Sequence, residues 1–391
     1  MTKNYLFVID RIENGGAERQ LLAVAKYVSE NVTIHITALH TPTSDMLLYI
    51  EECGFIYHSI SKNDGGNLFT RLRGVLKLIK SLKKLLIFNK IDKCISFLEW
   101  SNILSIVSTR KLGIPVIANV RNHLSTQYGS RDRVTLFIAK LIITKFYPRA
   151  EQVICNSFGI KNDLVKNFKL PEGQISVIQN TYSINKLLFL AESHLELLPL
   201  SSKGIRFCAC GRLSDQKRFE SLVLTFQSFV KITGRNDSLI IIGSGPNKNS
   251  IQDLITKDKA NIKLISHTEN PYPLISQSDC FLLNSEFEGF PNVLAEALIL
   301  GKDCISVDCL TGPREVLSGN VLTNYGYPIT IIKVLEYGLL YPYNKTGVEV
   351  DDGLLEALIK YSNGNFQFNK LDHNFLCEKR GKIRWQKILS A

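Results

Sequence analysis

The hydrophobic positions fall into two rhythms that alternate along the chain. Tyr5–Ile9 is a short apolar run with strand character, and Ala17–Val28 carries Leu21, Leu22, Val24, Ala25 and Val28 at helical spacing. Val32–Ala38 alternates like a strand, Leu68–Leu86 reads as a helix, and Lys93–Phe97, Val116–Val120 and Gln152–Asn156 read as further short strands. The rhythm restarts with a strand at Ile205–Cys210 and a helix near Phe219–Lys231. Ser238–Ile242 is the next strand, a helix near Asn249–Lys257 follows, and Ile262–Ile265, Asp279–Leu283 and Asp303–Val307 are buried strands. Apolar strands alternating with amphipathic helices predict parallel, doubly wound sheets. Two such series in 391 residues predict an α/β protein of two Rossmann-like halves, joined between about Asn180 and Gly204. Asn374–Leu389 is basic and helical in pattern.

Composition narrows the class. Hydrophobic residues make up 45% and charged residues 21%, the balance of a soluble globular protein. No apolar run approaches the roughly 20 residues that span a bilayer. The opening MTKNYLFVIDRIENGG is a strand running into a polar loop and not a signal peptide. The nine cysteines lack ligand spacing, and Cys208 and Cys210 alternate along a strand, so reduced thiols in a cytoplasmic protein are expected. The net charge of +11 suits an anionic partner: nucleic acid, a membrane surface or phosphorylated substrates. From Gly65 to Ile91 there are seven basic residues and no acidic one.

Three strand-to-helix turns are candidates for holding phosphate, because ligands of such sheets sit at the carboxyl edge. Asn14-Gly15-Gly16 precedes a helix, where exposed N–H groups favour anions. In Gly211-Arg212-Leu213-Ser214-Asp215-Gln216-Lys217, Arg212 offers a bidentate fork and Lys217 a point charge. Gly243-Ser244-Gly245-Pro246 permits a ligand's flat face to come close. Taken singly, each also fits an ordinary turn or a pair of solvated charges. A fourth stretch, EFEGFPNVLAEALILG, spans Glu286–Gly301. Pro291 suits the first helical position, and Asn292, Val293 and Leu294 then present free N–H groups at the positive end of a helix. Glu288 in the loop and Glu296 on the helix can accept from hydroxyls beside a bound anion. Each also fits a solvated charge, but both sit among apolar neighbours. A diphosphate flanked by two polyols, a nucleotide sugar, fits that pattern.

Taken together, the motifs resemble the retaining glycosyltransferases of the GT-B fold, family four. The residues that carry the resemblance are GGAER (Gly15–Arg19), NSFGIKNDL (Asn156–Leu164), GRLSDQK (Gly211–Lys217), GSGP (Gly243–Pro246), EGFPNVLAE (Glu288–Glu296) and TGPREVL (Thr311–Leu317), in that order over nearly the whole chain. EGFPNVLAEAL, TGPREVL and EYGLL (Glu336–Leu340) look most like bacterial enzymes that extend polyprenyl-diphosphate-linked saccharides for surface polysaccharide such as O-antigen or capsule.

The resemblance implies a GT-B architecture, two Rossmann-like doubly wound domains facing a central cleft. It implies an acceptor-binding domain at 1–190, a nucleotide-sugar-binding domain at 200–372 and a C-terminal helix at 373–391 crossing back to the first domain. Arg212 and Lys217 would hold the donor diphosphate, Glu296 the ribose, and Glu288 the transferred sugar. Backbone from Gly289 through Phe290, Asn292 and Val293 to Leu294 would support phosphate and sugar. Gly15 and Gly243 belong to the donor loops, and Gly16 would let the first domain's loop close over the donor. Many relatives carry a histidine after the strand matched by Val116–Val120. This chain has Arg121-Asn122-His123, so Arg121 and His123 both remain candidates and which faces the reaction is open.

The implied reaction retains the donor's anomeric configuration, with a UDP-sugar as the expected donor. The chain has no Asp-x-Asp, so no metal is required by anything in the sequence, and no other cofactor is expected. The expected partners are the nucleotide sugar, an undecaprenyl-diphosphate-linked acceptor and the inner face of the cytoplasmic membrane, with peripheral attachment and no nucleic acid. The membrane contact is assigned to the helix 68–86. There Leu72, Val75, Ile79, Leu82 and Leu86 form an apolar stripe, and Arg73, Lys77, Lys80 and Lys84 a basic one. The 14-residue run Val134–Tyr147 is expected as a buried helix, with shallow membrane insertion the alternative. Rival readings are a non-hydrolysing epimerase, a nucleic-acid-binding protein and a non-catalytic donor-binding scaffold. The first does not account for GRLSDQK together with the two glutamates, and no zinc spacing, RNA-binding signature or basic-aromatic interleaving supports the second.

Overall fold

The computed structural model of the chain describes residues 2–12, 15–60, 68–193, 204–258, 260–320, 327–344, 347–364 and 366–390. Asn14, the start of the basic run at 65–67 and the side chain of Leu72 lie outside the described residues. The chain divides into two compact units: Met1–Thr181 with Lys379–Ala391, and Tyr182–Glu378.

The first unit is built on a seven-stranded sheet: β1 (Lys3–Ile9), β2 (Val32–Ala38), β3 (Ile56–Tyr57), β4 (Lys93–Phe97), β5 (Val116–Val120), β6 (Gln152–Cys155) and β7 (Ile175–Val177). The spatial order is β3-β2-β1-β4-β5-β6-β7, parallel throughout. The strands are near-continuous apolar runs because helices cover both faces. Along β1, Leu6 and Val8 join one core cluster, while Tyr5, Phe7 and Ile9 join the other. The second unit repeats the plan with β8 (Arg206–Cys210), β9 (Ser238–Ile242), β10 (Asn261–Ile265), β11 (Cys280–Leu283), β12 (Asp303–Asp308), β13 (Lys333–Leu335) and β14 (Gly338–Pro342). Its order is β10-β9-β8-β11-β12-β14-β13, parallel except for the last pair. These are the two Rossmann-like α/β halves that the alternating pattern predicts. All nine cysteines are free, and burial pushes the Cys208 thiol well above its ordinary range.

Three local expectations are corrected. Pro291 is the N-cap of the helix Asn292–Ile299 and not its first residue, because its ψ of 103° is extended. The C-terminal pattern is two helices: His373–Leu376, capped by Asp372, and Glu378–Ser390. Between them Cys377 turns extended, with ψ 147°, and bridges to Tyr182. The run 134–147 is not a buried helix. In Arg133–Phe146 only Ala139 and Ile143 are buried, while Val134, Phe137, Ile138 and Leu141 are 49–67% exposed. The segment is apolar on nearly every side, so its pattern does not reveal which side the sheet takes.

The helix Leu68–Phe88 lies on the same face of the sheet. Leu78, Leu82, Leu85 and Leu86 are buried in the core cluster that also takes Ala139 and Ile143, and Val75 and Ile79 pack at its margin. Arg73, Lys77, Lys80 and Lys84 are exposed. No described helix is long and apolar enough to cross a membrane.

Candidate functional site

Doubly wound sheets bind ligands outside the carboxyl ends of their strands, where the strand order reverses. In the second unit that reversal lies between β8 and β11. The segment after β8 is Gly211–Lys217 and the segment after β11 is Asn284–Pro291, so both carry predicted site residues. They are tied together by backbone and amide bonds. The Glu286 N–H donates to the Gln216 carbonyl at 2.7 Å, and Gln216 Nε2 donates to the Phe287 carbonyl at 2.8 Å. Lys217 Nζ is ion-paired with Glu288 Oε1. Glu288 is buried and Lys217 half-buried, whereas Arg212 is exposed. Two residues expected to contact the donor therefore hold each other, and Arg212 is the more accessible cation of the loop.

The TGPREVL motif has a positioning role visible in the bonds. Thr311 Oγ1 donates to the Glu288 carbonyl at 2.5 Å, and the Gly312 N–H donates to the Gly289 carbonyl at 3.1 Å. A Cβ at Gly312 would overlap Gly289, Phe290 and Pro291. Arg314 is buried, with Nε and Nη2 both 2.6 Å from the Asp308 carboxylate, which fixes the helix Gly312–Leu317 to the end of β12. The loop that presents Glu288 is thus held by two neighbouring segments, Gln216–Lys217 and Thr311–Gly312.

The helix Asn292–Ile299 begins directly after that loop. Its first intrahelical bond is Ala295 N–H to Pro291 O, so the amides of Asn292, Val293 and Leu294 have no acceptor within the helix. Their partial positive charge favours an anion at this end. Tyr182 Oη donates to Asn292 Oδ1 at 2.6 Å. Phe290, Leu294 and Glu296 are buried, and Asn292 and Val293 are half-buried.

Gly243 and Gly245 serve loop packing. A Cβ at Gly243 would overlap the Gly211 carbonyl, and one at Gly245 the Leu213 backbone. Leu213 N–H donates to the Ser244 carbonyl at 3.0 Å, and Asn247 N–H returns a bond to the Leu213 carbonyl at 3.1 Å. These glycines let two backbones touch. Arg218, which sequence reasoning missed, is buried at φ +51°, with Nη2 at 3.1 Å from Asp351 Oδ2 and its guanidinium over Tyr343. A β-turn motif gave no signal for it, because Asp351 and Tyr343 are distant in sequence.

The first unit holds the remaining predicted residues. Gly15 caps the helix Gly16–Val28, and the Glu18 side chain folds back over it. Arg121 and His123 follow β5 and are both buried. Arg121 Nη2 donates to Asn180 Oδ1 at 3.0 Å, and its guanidinium lies over Phe97. His123 is the N-cap of the helix Leu124–Gly129, with Nδ1 3.3 Å from the Thr126 N–H and 2.8 Å from its hydroxyl. Its Nε2 is 3.7 Å from Asp163, which also accepts from Ser125. Burial lowers the His123 pKa, and the Asp163 charge opposes that shift. Among the described residues no group of three or more His, Cys, Asp or Glu has metal-site geometry.

Comparison with known proteins agrees with this geometry. Residues 14–186 match the family model described as Glycosyltransferase Family 4, and residues 193–329 that described as Glycosyl transferases group 1. An uncharacterized glycosyltransferase of Methanocaldococcus jannaschii is 31% identical over 275 residues, 67% of this chain and 65% of that protein, just under two thirds of its length. A Campylobacter jejuni enzyme, N-acetylgalactosamine-N,N'-diacetylbacillosaminyl-diphospho-undecaprenol 4-alpha-N-acetylgalactosaminyltransferase, is 26% identical over 81% of this chain and 83% of its own. Among solved structures, Anabaena HepE in complex with UDP-glucose superposes with a TM-score of 0.71 at 15% identity, covering 99% of each chain. The lipopolysaccharide outer core galactosyltransferase WaaB, in its apo form, gives 0.65 at 20% identity over 99% of this chain and 98% of its own.

Proposed function

From the match of residues 14–186 to the Glycosyltransferase Family 4 model and of residues 193–329 to the Glycosyl transferases group 1 model, we propose that the chain is a GT-B glycosyltransferase, a retaining hexosyltransferase or N-acetylhexosaminyltransferase. It moves the sugar from a nucleotide donor, a UDP-sugar, to a polyprenyl-diphosphate-linked saccharide in the synthesis of a bacterial surface polysaccharide or glycan. The observation that carries this reading is the convergence of Gly211–Lys217, Glu286–Pro291 and Thr311–Gly312 at one strand reversal, with Lys217 seated on Glu288. The acceptor class is supported by the activity for which the Campylobacter relative is named, and the donor class by the UDP-glucose held in HepE.

The second unit takes the donor. Arg212 and Lys217 bind the diphosphate, and the amides of 292–294 add positive potential where the leaving group gains charge. Glu296 accepts from the ribose and Glu288 from the transferred sugar. When the diphosphate arrives, Lys217 is shared between it and Glu288, which orients that carboxylate toward sugar hydroxyls. The acceptor hydroxyl attacks the anomeric carbon on the face the diphosphate leaves. The C1–O bond to phosphate breaks as the new glycosidic bond forms, and a leaving phosphate oxygen takes the hydroxyl proton. The protein contributes positioning and charge. Cationic side chains and amides do this without a metal, so EDTA is expected to leave the rate within about twofold, a change below roughly 0.4 kcal/mol in barrier. Loss of activity in EDTA, restored by Mg²⁺ or Mn²⁺, refutes that part.

The first unit takes the acceptor and meets the membrane. Arg73, Lys77, Lys80 and Lys84 line one exposed helix face. On the same face of the sheet, beyond the helix Glu99–Thr109, the helix Arg133–Phe146 exposes Val134, Phe137, Ile138 and Leu141, with Arg131, Arg133, Lys145 and Arg149 at its two ends. Bases beside an apolar row suit an anionic lipid surface. Liposome flotation of a Lys77, Lys80, Lys84 triple Ala variant is expected to weaken binding at least tenfold. Unchanged flotation and unchanged activity sink the membrane assignment.

The function itself is tested by a donor screen that reads UDP or GDP release with membrane extract as acceptor. Release with one nucleotide sugar, lost in Glu288→Ala and Lys217→Ala, supports the transferase. A nucleotide sugar altered without any acceptor favours an epimerase. Tight nucleotide binding with no release from any donor favours the scaffold.

A further inference from the structure

The carboxyl edge of the first sheet carries chemistry that the donor reading leaves unused. Its strand order reverses between β1 and β4. Asp10 follows β1, and Glu99 opens the helix Glu99–Thr109 directly after Leu98, the single residue between β4 and that helix. The Asp10 carboxylate is engaged: Oδ1 accepts from the Ser101 N–H at 3.0 Å and from its hydroxyl at 2.5 Å. Glu99 is only partly engaged. It is 8% exposed and is bonded by Gln127, yet its Oε1 is buried without a partner. Gln127 Oε1 is likewise buried without a partner. Leu98 delivers this carboxylate from a backbone at φ +74°, a region costly for leucine.

A buried carboxylate oxygen with no donor is expensive unless something supplies one. The surroundings say what kind of donor fits. Glu99 faces Asp10 from β1, Gln127 and Tyr128 from the helix Leu124–Gly129, and Tyr147 from the turn after the helix Arg133–Phe146. Arg131 bears on Tyr128, and Arg11 and His40 on Asp10. With Asp10 beside it, an anionic ligand group is repelled there. A neutral hydroxyl donates one proton to one oxygen and leaves the charge balance alone.

We infer that Glu99 binds a hydroxyl of the acceptor sugar through Oε1, with Gln127 Oε1 beside it taking a second hydroxyl or amide donor. This makes Glu99 a substrate-touching residue of the first unit, and the inference rests on the transferase reading above. The ionised form is the better hydrogen-bond acceptor. Burial first, and Asp10 second, raise the Glu99 pKa to about 7, so acceptor use changes across neutrality.

The test uses the full chain, a radiolabelled nucleotide sugar and a lipid extract of bacterial membranes as acceptor. Transfer into the lipid fraction is measured against extract concentration, and donor hydrolysis is measured without extract. Glu99→Gln is expected to need at least tenfold more extract for half-saturation, with donor hydrolysis within twofold of wild type. Glu99→Asp recovers part of the loss. In the wild type kcat/KM for the extract rises with pH through neutrality, and that rise is absent in Glu99→Gln. Half-saturation at wild-type extract concentrations in Glu99→Gln overturns the inference. So does a loss that falls equally on hydrolysis and transfer. A wild-type chain that neither transfers nor hydrolyses any donor overturns the transferase reading instead, and the inference falls with it.

Discussion

The two strand reversals share one geometry and opposite electrostatics. At β8/β11 the edge presents Arg212, Lys217 and a helix N-terminus, and its buried carboxylate Glu288 already has a cation. At β1/β4 the edge presents Asp10 and Glu99, and the buried carboxylate has an oxygen with no partner. The same architecture can be charged for a diphosphate or for neutral hydroxyls by changing two or three residues at the loop ends. Fold alone therefore says where a ligand sits, and side chains say which one.

The largest expected effect is at the cationic edge. Lys217→Ala removes charge that acts when the leaving group departs, and kcat should fall about 10²–10³-fold, roughly 3–4 kcal/mol of barrier. If kcat holds and only donor KM rises, Lys217 binds ground state and transition state alike, and the contrast between the edges narrows.

Next is the stability of the acidic edge. A carboxyl whose pKa rises on folding stabilises the protein below its unfolded value and loses that stability as pH climbs through the folded value. For Glu99 that window runs from the ordinary 4.5 to about 7. Above it the wild type carries a penalty on the order of 3 kcal/mol. Glu99→Gln should thus raise thermal stability at pH 8 and change it little at pH 4.5. Equal shifts at both pH values would mean that the carboxyl is not held in its neutral form by the fold.

Smaller, and at the frame of the cationic edge, is Gly243→Ala. The added methyl meets the Gly211 carbonyl, so the two loops must part, at a cost of about 1–3 kcal/mol. Donor KM should rise along with the loss of melting temperature. A stable variant with normal donor KM would show that the loops can separate without disturbing Lys217.

What the sequence revealed and what it hid follow from range. β5 and β9 lie where their apolar runs put them, because a strand buried on both faces is apolar without interruption. Gly211–Lys217 and Glu288–Glu296 stand out as candidates in the sequence because each carries its chemistry within a few residues. Glu99 does not, since its meaning depends on Asp10 and Gln127, and nothing local distinguishes it from a solvated glutamate. The exposed row at 134–141 was misread for a related reason: periodicity finds a helix, but only the sheet decides which of two apolar sides is covered. Thr311 and Gly312 were noticed as a motif, yet their bonds to Glu288 and Gly289 needed the fold.

The closing helix Glu378–Ser390 bears on how the protein is made. Trp385 and Leu389 belong to the same core cluster as Phe7, Leu22 and Tyr27, and Lys382 pairs with Glu30. All the strands of that first unit precede residue 182. During synthesis the second unit, Tyr182–Glu378, is complete before the first can seal that face. The later-encoded domain can therefore reach its native core earlier, and the nascent first domain waits with an open hydrophobic side until the final helix clears the ribosome.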